Sequence, residues 1–347
     1  MDFSSLVIYA IFMQLSVSLA FVSRYSTPKY HFLLVLVTYL LVVSFWALRH
    51  DIGFDYENYT YIFYEIKNGY SSYVEPAYYL LCRIFSRVDG GEYYVIGAMS
   101  MLTYTILFYF FLRKNILWQG LLFSLVFQFQ FMAANQIRQA LAICVFFLIL
   151  PYIEKKQTLK WGIGVGIIAL VCHTSAIFLF LLIPLCRINL SGKKWCFIIS
   201  ILYILYLEGA FRSLGNFLLL NLPLPENYQH FLATDRVEAE VIGFSLVMLF
   251  NVAVALYVAW NYVTEEKRIF SLYMIGICLY IVFVEYHLLL RLSFYLFYIN
   301  LYVVSSFCKE KKSGRILVII SVIFFLFICA QSTNMHGVIP YKSLLAK

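Results

Sequence analysis

Apolar runs of bilayer-crossing type recur along the whole chain, separated by short polar breaks. They fall near 4–22, 31–48, 93–112, 116–131, 136–153, 160–172, 174–187, 195–209, 241–260, 269–285, 292–307 and 316–332. A transmembrane helix needs about 20 mostly apolar residues. The pattern therefore predicts an all-α polytopic membrane protein with about twelve transmembrane helices, some short or broken. With 63% apolar and only 13% charged residues, an ordinary soluble domain is excluded. Residues 1–21 lack the basic start and small-residue cleavage site of a signal peptide and read as a retained first span. The eight cysteines are scattered in or beside apolar segments without a Cys-x-x-Cys pair, so neither a disulfide framework nor a zinc site is indicated.

Charge sets the orientation. Breaks near 23–30, 113–115, 154–159, 188–194, 261–268 and 308–315, with Lys160 and Arg187 at span ends, carry 16 of the 26 basic residues but four of the 18 acids. The positive-inside rule makes that side cytoplasmic and puts both termini outside. The outer side holds seven arginines: 49, 83, 87, 138, 212, 236 and 291. Topology does not explain these, whereas recognition of an anionic substrate would. Basic flanks on both sides of 160–187 favour two short helices that meet near His173 on the outer side. Two outer loops are long, about 49–92 and 210–240. In the first, the apolar stretch 76–86 is too short to cross and predicts an interfacial or re-entrant helix. Helical spacing puts Tyr79, Arg83 and Arg87 on one face of it. The second reads as a cap or substrate loop. No internal repeat or second soluble domain is visible, which predicts a single integral membrane domain over 1–347.

Within this apolar background stand Asn135, Gln136, Arg138, Gln139 and His173. A guanidinium at helix depth costs several kcal/mol unless it faces a cavity or partner, so such residues point to function; polar glue between helices is the plainer explanation. On a helix over 136–153, Asn135, Arg138, Gln139 and Ala142 would share a stripe. Arg49, His50, Asp51, Asp55 and Glu57 crowd around Gly53 at a span exit, and Glu285, His287 and Arg291 mark another outer turn. Glu285 and Arg291 also suit a simple ion pair. The tyrosines between 56 and 94 fit an interfacial belt or a carbohydrate-binding surface.

Several chemistries drop out. The chain has no Gly-x-Gly-x-x-Gly or Gly-Lys-Ser/Thr phosphate loop and no His-Glu-x-x-His. Ser175 is better explained as a packing hydroxyl than as a nucleophile activated by His173. The basic residues are dispersed along one rim, so nucleic acid is excluded as a partner. What remains is an outward-facing site near the bilayer surface, with arginines for phosphate and a His or carboxylate as base. A lipid pyrophosphate fits such a place, because its head needs Arg and its tail needs lipid.

The chain resembles the EpsG family of polysaccharide-biosynthesis membrane proteins, a branch of the Wzy-type O-antigen and capsule polymerases. The resemblance rests on Arg49 followed by Asp51-Ile-Gly53-x-Asp55-Tyr56-x-x-Tyr59, then Glu75-Pro76, then Asn135-Gln-Ile-Arg138-Gln139-Ala-Leu-Ala, Glu154-Lys-Lys and His173-x-Ser175-Ala, with a late Arg291. It implies a GT-C-like glycosyltransferase of the bacterial inner membrane with its active site facing the periplasm. Such an enzyme transfers a growing glycan from its undecaprenyl-pyrophosphate carrier to the terminal sugar of a lipid-linked repeat unit. Donor and acceptor are then lipid-linked oligosaccharides in the bilayer, a chain-length regulator is a further expected partner, and no cofactor or metal is required. In that reading Arg138, Arg291 and Arg49 hold the pyrophosphate and His173, Asp55 or Glu75 is the base. Asp51, Tyr56, Gln139 and Arg83 contribute to substrate binding. A transporter or flippase of lipid-linked oligosaccharide is the main alternative.

Overall fold

The structure is a computed structural model that describes residues 3–70, 73–182, 184–211, 246–331 and 337–346. The second long loop expected at 210–240, with Arg212 and Arg236, lies outside the described residues except for its first two positions. Among the described residues every extended element is helical. The order is α1 (Phe3–Tyr25), α2 (Pro28–Ala47), α3 (Tyr56–Lys67), α4 (Pro76–Phe85), α5 (Gly91–Arg113), α6 (Leu117–Val126), α7 (Phe129–Asn135), α8 (Ile137–Glu154) and α9 (Thr158–Val171). It continues with α10 (Gly192–Leu207), α11 (Leu246–Asn261), α12 (Lys267–Phe283), α13 (His287–Phe297), α14 (Asn300–Glu310) and α15 (Gly314–Gln331).

Six helical segments among the described residues are long and apolar enough to cross a bilayer, or seven if α6 and α7, bent by 65° at their break, form one broken span. The expected twelve crossings are not confirmed. The runs at 160–172, 195–209 and 269–285 become helices of 14, 16 and 17 residues, and within 241–260 the described residues are helical from Leu246. Over 160–187, α9 ends at Val171 and a tighter 3-10 helix, Thr174–Leu182, follows, so two short helical segments meet at His173.

The chain divides into two compact units. One comprises Met1–Pro151, Leu159–Ile177 and Val304–Lys347, the other Tyr152–Thr158 and Phe178–Val303. In the first, α1 packs on α2 and α6, and α2 on α5. An aromatic knot of Tyr9, Phe12, Phe45, Trp46 and Phe131 fills the end where α2 finishes, with Phe12 and Phe45 stacked at 3.9 Å. Its one indole donor is satisfied: Trp46 Nε1 donates to Gln130 Oε1 at 2.6 Å, and Gln130 Nε2 donates to Ser124 Oγ at 2.7 Å. In the second unit, Glu154 Oε2 accepts from the backbone N–H of Arg268 and Ile269 at 3.1 and 3.2 Å, placing a carboxylate at the start of α12 where the helix dipole favours it. A Cβ on Gly276 would fall 2.5 Å from the Leu296 backbone, so only glycine lets α12 and α13 touch this closely.

The segment 337–346 folds back as a strap over residues 45–54 of the first unit. His50 N donates to Lys342 O at 3.1 Å, Gly53 N to Gly337 O at 2.9 Å and Leu344 N to Leu48 O at 2.8 Å. Tyr341 stacks on Phe45 at 4.4 Å and donates to its carbonyl at 2.7 Å, while Lys342 Nζ meets Asp51 Oδ2 at 2.5 Å. Ending the chain after Gln331 removes these bonds and should expose residues 48–54 to limited proteolysis at least several-fold faster than in the intact protein. Lys342→Ala alone should change the rate little, because an exposed ion pair contributes at most about 1 kcal/mol.

Candidate functional site at the start of the eighth helix

Asn135 and Arg138 do not lie on one continuous helix, contrary to the stripe expected from spacing. The chain leaves helical geometry at Gln136, ending α7, and α8 restarts at Ile137 with Arg138 in its first turn. The break separates two tasks. Asn135 Oδ1 accepts from the backbone N–H of Phe54 at 2.6 Å, which fastens the loop after α2 to the end of α7. Gly53 allows this approach: its φ is +100°, and a Cβ there would meet Ala134 O at 3.0 Å. Arg138, freed from that face, turns toward Glu75.

Glu75 is the hub. It sits in extended conformation at the head of α4, directly before Pro76, which suits the first helical position and disfavours helix at Glu75 itself. Its Oε2 receives Arg138 Nη1 at 2.5 Å, and its Oε1 lies 2.6 Å from His173 Nδ1. The Thr174 N–H donates to the same Oε1 at 3.1 Å. That donor exists because α9 ends at Val171 and a 3-10 turn begins at Thr174, leaving an N–H that no helical carbonyl can take. The Arg138 guanidinium also lies over the rings of Tyr59 and Tyr78, at 5.7 and 5.9 Å. Tyr78 OH is fixed by donating to Tyr59 O at 2.9 Å. The carboxylate is 5% exposed, against 19% for Arg138 and 24% for His173, so the cation and the imidazole form the accessible rim.

Burial raises the Glu75 pKa, but the hydrogen bond from His173, the Arg138 charge and the Thr174 N–H outweigh it and hold the group at about 2, below its ordinary 4.5. Because the folded value is the lower one, the stabilisation is complete above pH 4.5 and disappears as pH falls toward 2. Linkage puts it at roughly 3 kcal/mol. Thermal unfolding of the purified protein should show an acid-induced loss of stability in that window. Glu75→Gln should start lower and lack this component; an unchanged pH response would contradict the placement of the carboxylate.

The other expected site residues are placed differently. Arg49 is 2% exposed, and its guanidinium donates to Trp46 O at 2.5 Å, Ser100 Oγ at 2.6 Å and Ala134 O at 3.4 Å. It ties the end of α2 to α5 and α7 and is enclosed by them. Gln139 and Tyr56 are likewise buried, and Asp51 is exposed and paired with Lys342. Asp55 is half-buried at the head of α3. Arg83 is exposed on α4, whereas Tyr78 and Cys82 form its buried face, and Arg87 lies beyond the helix end. Arg291 is half-buried on α13 of the second unit. Thr174 and Tyr78 escape sequence reasoning. Their only signals are adjacency to His173 and the i+3 position after Glu75 in a helix opened by proline. Among the described residues no group of three or more His, Cys, Asp or Glu is placed to hold a metal ion.

A model for the EpsG family matches residues 32–343, nearly the whole chain. The chain belongs to the EpsG family. Wzy-type polymerase is the known kind for the EpsG family, and this chain is a polysaccharide polymerase-type membrane protein. The match spans every residue of the Glu75 cluster as well as the strap up to Ser343. No curated protein and no solved structure matches the chain.

Proposed function

We propose that this EpsG-family protein is a glycosyltransferase that moves a growing glycan from undecaprenyl pyrophosphate onto the terminal sugar of a lipid-linked repeat unit. The observation that carries the reading is that the buried carboxylate of Glu75 joins both Arg138 and His173 where apolar helices end. A carboxylate at Nδ1 selects the tautomer with the proton there, leaving Nε2 with its lone pair for an incoming hydroxyl. The acceptor oxygen attacks the anomeric carbon, its proton passes to His173 Nε2, and the bond from that carbon to the pyrophosphate breaks with its electrons leaving on the phosphate oxygen. Arg138 stabilises that developing charge as a preorganised cation. Glu75 holds both partners and is itself too acidic to be the base, which narrows the three expected candidates in favour of His173. Thr174 and the two tyrosines position the pair.

The excess of basic residues on the opposite rim supports a periplasmic orientation in an inner membrane. The test is incubation of the purified protein with a lipid-pyrophosphate-linked oligosaccharide repeat. Lipid-linked oligomers in a ladder are expected. Sugar released into water, or lipid-linked repeat moved across the bilayer without elongation, would refute a polymerase and favour a hydrolase or a flippase.

A further inference from the structure

Helix α4 is exposed along much of its length although it carries the hub carboxylate at its head. Its two ends are both anchored at the ends of other helices. At the start, Glu75 bonds Arg138 in the first turn of α8 and His173 just beyond α9. At the finish, Phe85 stacks on Tyr94 in the first turn of α5 at 5.7 Å, and its carbonyl lies against Gly91. In the same unit Arg49, just after α2, is bonded to Ser100 within α5 and to Ala134 near the end of α7. A ten-residue helix is about 15 Å long, too short to cross the bilayer.

At about 100° per residue its side chains fall into three sectors. Tyr78 and Cys82 face the protein and are buried. Leu80 and Ile84 lie together in a second sector and are 59% and 56% exposed. Tyr79 and Arg83 form the third, also exposed. Protein, hydrocarbon and headgroup would each meet the sector suited to it, with the amphipathic Tyr and the cationic Arg at headgroup level.

We propose that α4 is a lipid-binding surface helix: Leu80 and Ile84 insert among acyl chains, and Arg83 binds the anionic phosphates of neighbouring headgroups. This gives Arg83 a role that the Glu75 cluster leaves open, and it sets Glu75 at the depth of a lipid phosphate. The assignment does not depend on the reaction proposed above.

The test uses the full-length protein in nanodiscs of mixed phosphatidylglycerol and phosphatidylcholine, with the photo-crosslinker p-benzoylphenylalanine in place of Leu80, Ile84, Arg83 or Tyr73 in turn. Tyr73, 92% exposed in the preceding loop, serves as the comparison. After illumination, mass spectrometry should find lipid adducts from positions 80 and 84 at several times the yield from 73. Arg83→Gln should lower, by at least twofold, the share of phosphatidylglycerol among the adducts formed at position 80. Equal lipid yields at 80, 84 and 73, or crosslinks at 80 and 84 to a second copy of the chain in place of lipid, would overturn the surface assignment. An unchanged phosphatidylglycerol share in Arg83→Gln would overturn the role given to its charge. None of these readouts requires polymer to be made.

Discussion

Arg138→Ala should cut polymer formation by about 10²–10³-fold while the protein stays in the membrane at near-normal abundance, the loss typical of removing one preorganised charge-stabilising donor. The change should appear in kcat more than in KM, because the developing charge on the pyrophosphate exists only as the bond to sugar breaks. Arg138 also neutralises Glu75 at 2.5 Å, so the alanine variant must lose stability as well. Arg138→Lys separates the two effects. It keeps a cation near Glu75 but loses the planar fork and the flat contact over Tyr59 and Tyr78, so stability should return largely while activity recovers only in part. Long polymer of normal length from Arg138→Ala, measured by gel analysis of cells that express comparable protein, would contradict the role.

His173 carries the second large effect. His173→Ala should lower kcat by about 10²–10⁴-fold, the range for loss of a general base. His173→Gln is the sharper variant, since its amide can still donate to Glu75 Oε1 in place of the ring Nδ1 at 2.6 Å, yet it cannot accept a proton. Folding should be close to that of the parent and the kinetic loss should persist. Glu75 is ionised at all pH values well above 2, so it contributes no change of charge near neutrality. Glu75→Gln should nevertheless slow the reaction, because the imidazole loses the acceptor that fixes its tautomer. Full activity in His173→Gln would move the base elsewhere, to Asp55 among the residues singled out from sequence.

The sequence makes the membrane character and the polar islands plain, because a charge inside an apolar run stands out locally. It cannot show which distant groups meet. Glu75 finds Arg138 across 63 positions and His173 across 98, and no periodicity encodes either pairing. Arg49, at a span exit, bonds Ser100 and Ala134, which lie 51 and 85 positions away. The break at Gln136 was invisible for another reason. Neither glycine nor proline stands there, and the turn is held by what surrounds it, including the bond from Phe54 to Asn135. The count of twelve crossings is not confirmed, since apolar runs such as 160–172 and 195–209 become helices of 14 and 16 residues. Hydropathy registers their composition and is blind to how far each helix extends.

The most direct test counts carrier released per bond made. With purified wild-type protein and a fluorescent lipid-pyrophosphate-linked repeat, each new glycosidic linkage in the ladder should release one molecule of lipid pyrophosphate, and both signals should fall together in His173→Gln and Arg138→Ala. Elongation without stoichiometric carrier release, or carrier release that survives in both variants, would contradict a transfer centred on Glu75, Arg138 and His173.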